Sequence, residues 1–170
     1  MKRPISLLTL CALTLSLVMA IPAYASDAPA PVTIRLAMTQ GTDFDPTTGT
    51  GTNRGTWNAS GVFTDAGTAS EAFRLRFGCS SGICSVTSHF TLTSSANPAN
   101  TVTIKVDLGG FVPLSATQIR FDGKWHVVYG TGAYRGLSGH GEAEVIIDFA
   151  LADQGLPSNF GTFTGLAHLG

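Results

Sequence analysis

Val102-Thr103-Ile104-Lys105-Val106-Asp107-Leu108 alternates apolar and polar residues without a break. A repeat of two puts every second side chain on one face, so the stretch reads as a β-strand with one buried side. The pattern recurs on both sides of it. Upstream lie Val32, Ile34, Leu36 and Met38, then Phe73, Leu75 and Phe77, then Val86, Phe90 and Leu92. Downstream lie Ile119 and Phe121, then Trp125, Val127 and Tyr129, then Val145, Ile147, Phe149 and Leu151. The positions between them are largely Thr, Ser, Arg, Lys, His or Asp, and Thr-rich outer faces suit β-propensity. No stretch carries a sustained helical period. Turn chemistry falls at 65–67, 78–82, 96–98, 109–110, 122–123 and 155–158. Asp122-Gly123 is the strongest two-residue hairpin signal among these. Residues 130–141 carry five glycines and read as an irregular connection with one helical turn at 133–137. The count is eight strands, or nine at most, and the class is all-β. Eight successive antiparallel strands hide their edges most completely by closing into an eight-stranded antiparallel β-barrel, whose interior holds packed side chains or one small ligand. A two-sheet β-sandwich is the alternative.

The N-terminus has a different character. Lys2 and Arg3 precede an apolar run from Ile5 to Ala20, and Pro22 is followed by Ala23-Tyr24-Ala25 before Ser26. Cations, a short apolar segment and an A-x-A site form the three parts of a secretory signal peptide, assigned to residues 1–25. The apolar run falls short of the about 20 residues a bilayer span needs. Residues 26–31 read as a flexible leader and 32–170 as one barrel domain. The expected location is secreted or periplasmic, with no membrane attachment after cleavage. Cleavage removes two of the ten Lys+Arg and none of the eleven Asp+Glu, leaving a net charge near −3. Nucleic acid is therefore an unfavourable partner, because its binding needs basic patches.

Cleavage also removes Cys11. Cys79 and Cys84 remain, five apart in Gly78-Cys79-Ser80-Ser81-Gly82-Ile83-Cys84. In an oxidising compartment such a pair reads as a disulfide, worth roughly 2 kcal/mol for so short a loop. Gly78 to Gly82 also fits the G-x-S-x-G of a nucleophile elbow, but that motif needs a helix after it and a His–acid pair. A disulfide-capped hairpin accounts for it better. The histidines His89, His126, His140 and His168 include no i,i+4 pair, so no metal site is expected, and no cofactor motif is present.

From Gly130 the chain reads Gly130-Thr131-Gly132-Ala133-Tyr134-Arg135-Gly136-Leu137-Ser138-Gly139-His140-Gly141. This resembles the signature of secreted bacterial proteins of the allene oxide cyclase barrel-like group, and plant dirigent proteins carry a related glycine-rich segment. Gly55-Thr56-Trp57-Asn58-Ala59-Ser60-Gly61 and Phe63-Thr64-Asp65-Ala66-Gly67 look like that group's N-terminal hairpin. The resemblance implies an eight-stranded barrel with a central apolar cavity, which in some relatives hosts an isomerase or coupling reaction. It supplies no catalytic residue that matches a position here. Tyr134 is expected to plug one barrel end, its hydroxyl bonded to a backbone acceptor.

Polar residues in phase with the apolar ones are the candidate interior groups. Ser88 lies between Val86 and Phe90, Glu71 precedes Phe73, and Tyr129 follows Val127. A cavity lined by Phe73, Phe90, Ile104, Ile119 and Tyr129, with Ser88 and Glu71 for hydrogen bonding, has the composition of a small-ligand site. The bland alternative puts these polar residues at strand ends near water. Two functions follow. One is a secreted binding or interaction module for a small hydrophobic molecule. The other is an isomerase or cyclase that confines an apolar substrate, with Tyr129 or Glu71 placing a proton. The sequence leaves open which holds, and it sets no oligomeric state.

Overall fold

The computed structural model describes residues 28–79 and 82–170, so the signal-peptide assignment lies outside the described residues. Eight strands follow one another: β1 Ala30–Gln40, β2 Thr50–Gly61, β3 Asp65–Cys79, β4 Gly82–Ser94, β5 Thr101–Pro113, β6 Gln118–Gly130, β7 Ser138–Asp148 and β8 Asn159–His168. Each pairs antiparallel with the next, and β8 pairs antiparallel with β1, closing the barrel. Closure removes both sheet edges, so the sandwich alternative falls away. β1 begins two residues inside the expected leader, with Ala30 opposite Ala167 and Pro31 opposite Leu166.

The alternation fixes which face is inside. Val32, Ile34, Leu36 and Met38 of β1 are buried, as are Val102, Ile104, Val106 and Leu108 of β5. Ile119 is buried and Val127 packs against the same core. The other helical elements described are a 3-10 turn at Gly132–Tyr134 and one turn of α-helix, α1, at Phe149–Ala152.

The strand count agrees with the sequence reading through two compensating differences. Asp122-Gly123 is not a turn: both residues continue β6, opposite Gly109 and Leu108. Gly123 is there because a Cβ would stand 2.1 Å from the Asp107 carbonyl oxygen, where the strands approach closely. The compensating strand is β8, which the alternation had not revealed. Two further turn signals fall inside strands as well: Asp65 opens β3, and Gly109-Gly110 lies at a register shift in β5, with Gly110 at φ 66°. Phe149 and Leu151, expected to extend β7, belong instead to α1, whose N-cap Asp148 accepts from the Ala150 and Leu151 N–H groups.

The two barrel ends differ. One, the closed end, carries the loops 62–64, 95–100 and 131–137. Trp57 and Trp125 fill it, their indole N–H groups donating to the Thr93 and Thr164 carbonyl oxygens at 3.1 Å. Tyr134, buried, sets its ring 5.4 Å from that of Phe63. The plug was expected, but its hydroxyl partner is a carboxylate and not backbone: Tyr134 donates to Asp65 Oδ2. Burial raises the Asp65 carboxyl, while donors from Tyr134, Ser94 and the Ala66 N–H outweigh it and hold the group below its ordinary range. Burial and the neighbouring Asp65 together push the Tyr134 hydroxyl well up, so it stays a donor.

Candidate functional site

The other end, with the loops 41–49, 114–117 and 149–158, opens into a cavity of about 240 Å³. At ~30 Å³ per water-sized volume it holds the equivalent of about eight waters. Strand register builds it. Leu36 and Met38 of β1, Phe121 of β6 and Val145 of β7 are inward strand residues and line its wall. Phe90 lines it from β4, edge-on to Phe163 with ring centroids 5.5 Å apart. Gly161 of β8 helps keep the space open: a Cβ there would meet Leu36 Cδ1 at 3.0 Å and Phe163 Cε1 at 3.3 Å. Phe44 and Phe149 stand at the mouth, both partly exposed.

A polar cluster interrupts the apolar lining, which also includes Gln40 and Asn159. Glu71 on β3 faces inward opposite Asn53 on β2 and Phe90 on β4, and is buried. Asn53 Nδ2 donates to Glu71 Oε2 at 2.6 Å, and Ser88 Oγ donates to Oε1 at 2.6 Å. Asn53 is itself fixed, its Oδ1 accepting from the Gly41 N–H at 3.3 Å. Burial raises the Glu71 carboxyl above its ordinary value, and the two donated hydrogen bonds oppose that rise without cancelling it. When the group is protonated, the Asn53 amide nitrogen has no lone pair to accept from it, whereas the Ser88 hydroxyl can rotate and accept. The acidic proton therefore belongs on the Ser88 side or points into the cavity. Among the described residues lining the cavity, Glu71 alone can carry a charge. The arrangement can accept a hydrogen bond or cation when ionised, and donate a proton when neutral.

Of the residues expected at the site, Glu71, Phe73, Phe90 and Ile119 line the cavity. Ser88 is fully buried and acts through Glu71. Ile104 is fully buried in the core but is not part of the lining. Tyr129 is a correction: it is 55% exposed on the barrel's outside. Thr103 pairs with Tyr129 and Ile104 with Val127, so Val128 is an extra residue that reverses the alternation. Replacing Tyr129 with Ala should change unfolding free energy by less than ~0.5 kcal/mol in urea titration, as for other exposed sites. Asn53 and Asn159 escaped the sequence reading, and Val145 was read there as an apolar-face strand residue but not as part of the site. The side chain of Cys79 lies outside the described residues, and with it the Cys79–Cys84 bridge. The turn is followed by the strand β4, as a hairpin requires and a nucleophile elbow does not.

Compared with protein-family models, curated proteins and solved structures, the chain matches none.

Proposed function

We propose that this chain is a secreted binding barrel that encloses one small, largely apolar molecule and holds it by a single polar anchor, Glu71. The observation that carries this reading is the hydrogen-bonded Asn53–Glu71–Ser88 cluster opening into a mostly apolar cavity at the barrel mouth, where Gln40 and Asn159 are the other polar lining residues described. A barrel needing only a packed core has no use for a buried carboxyl, which is costly to desolvate. Binding sites, in contrast, combine apolar walls with a few placed polar groups. Exposed apolar side chains at the same end, Phe44, Phe77, Leu114, Phe149 and Leu156, fit an entrance for such a molecule. The signal peptide of residues 1–25, the Cys79–Cys84 staple and kinship with the allene oxide cyclase barrel-like group belong to the same proposal.

A second reading, confinement catalysis by an isomerase or cyclase, draws on the raised Glu71 carboxyl, which suits general acid–base work. Tyr129, the other group considered for that chemistry, lies outside the barrel.

Native mass spectrometry of the secreted protein tests the binding reading. The protein should carry a non-covalent small-molecule mass, or acquire one from a panel of apolar compounds. Gly161→Leu, which places a side chain in the cavity, should remain folded and lose that mass. A wild-type protein that stays free of ligand against the whole panel refutes the proposal.

A further inference from the structure

The class of ligand can be narrowed from charge and placement. This step rests on the cavity being a binding site. Among the described residues, Glu71 faces no cation: its hydrogen-bond partners are the neutral Asn53 and Ser88, and the described lining includes no His, Lys, Arg or Tyr. The charged neighbours, Arg74 on Glu71's own strand and Arg54 and His89 on the adjoining ones, lie on the outward phase and are exposed. Across the barrel, Leu36, Met38, Phe121 and Val145 face it with apolar side chains.

A buried carboxyl without a counter-ion is incomplete when ionised, and a ligand cation would complete it. A ligand carboxylate would instead set two anions side by side in an apolar space. The mouth points the same way. Its loops 41–49, 114–117 and 149–158 carry Asp43, Asp45 and Asp153 and contain no Lys or Arg. Hydrogen bonds from Thr52 hold Asp43 below the ordinary carboxylate range, and those from Thr48 and Thr47 do the same for Asp45. Both are therefore charged at neutral pH, with Arg54 beside Asp43 partly offsetting its charge, and carboxylates around an opening raise the local concentration of cations.

We propose that the barrel takes a cationic amphiphile, a small apolar body bearing a protonated amine, whose ammonium enters the cavity and pairs with the Glu71 carboxylate between Asn53 and Ser88. The aliphatic or aromatic body then lies against Leu36, Phe90 and Val145. The cavity volume limits the enclosed part to about eight to twelve heavy atoms at ~20–30 Å³ each.

Three probes of matched length distinguish this from other ligand classes: octylamine, octan-1-ol and octanoate, titrated calorimetrically into the full secreted protein at pH 7.5. Octylamine should bind at least 10-fold tighter than octan-1-ol, and octanoate should bind weakest. In Glu71→Gln the amine-to-alcohol affinity ratio should fall to near one. Equal affinity for amine and alcohol, tightest binding of octanoate, or an amine preference that survives Glu71→Gln each overturns the cationic assignment. In those cases the cavity still stands as a site. Failure of all three probes to bind overturns the binding reading along with it.

Discussion

Trp125→Ala should lose about 3–5 kcal/mol of unfolding free energy, the largest effect expected of any single truncation in the barrel. The indole is 1% exposed, and its N–H holds the Thr164 carbonyl oxygen on β8, two strands away. Truncation therefore opens a cavity at the closed end and removes the donor from a carbonyl it had satisfied. In a domain of this size the midpoint of thermal unfolding should fall by roughly 10–20 °C. Trp125→Phe keeps most of the volume and should lose about half as much. Urea unfolding followed by circular dichroism reads both. A loss below ~1 kcal/mol for Trp125→Ala would mean that the closed end is not a packed plug.

The second large effect depends on pH and comes from Glu71. Its folded carboxyl holds a proton more tightly than the unfolded chain does, since burial outweighs the bonds from Ser88 and Asn53. A raised carboxyl contributes stability that is fully present below the unfolded value, near 4.5, and is lost as pH rises through the folded value. Gln does not titrate and can keep both contacts, its oxygen accepting from Asn53 and its amide donating to a rotated Ser88 hydroxyl. Glu71→Gln should thus match the wild type near pH 4 and exceed it at pH 8 by about 1–3 kcal/mol. Asp43, Asp45, Asp65 and Asp107 are lowered and lose stability as pH falls, but both proteins contain them, so they cancel in the difference. Urea midpoints at the two pH values suffice. A wild type that gains on the variant between pH 4 and pH 8 would mean that Glu71 is not an uncompensated buried acid.

Much of the barrel was legible because its inner faces are written in large apolar residues at alternate positions, as in β1, β4 and β5. The same rule made Glu71 and Ser88 candidate interior groups, in phase with Phe73 and Phe90, while leaving open a place at strand ends near water; their burial decides for the interior. The rule fails where the inner face is made of glycine. β8 turns Gly161, Phe163, Gly165 and Ala167 inward and leaves Phe160 and Leu166 exposed, so its apolar pattern is blurred. β2 hides Asn53 for the same reason, its inner face running Gly51, Asn53, Gly55, Trp57 and Ala59. In this barrel such glycines mark close strand approach: a Cβ on Gly55 would stand 2.0 Å from the Ala37 carbonyl oxygen. Tyr129 went to the wrong face because one extra residue, Val128, reverses every later side chain, and nothing in Val127-Val128-Tyr129 announces it.

Methyl-resolved NMR during titration with octylamine or a co-purifying ligand tests the ligand-holding interior directly. Resonances of Leu36, Ile119, Val145 and Ile147, which line the cavity, should shift together and saturate, while Val102 and Leu137 at the closed end stay in place. Shifts confined to outward methyls such as Val128 and Leu166 would contradict a site inside the barrel, and would move the protein's function to its outer wall.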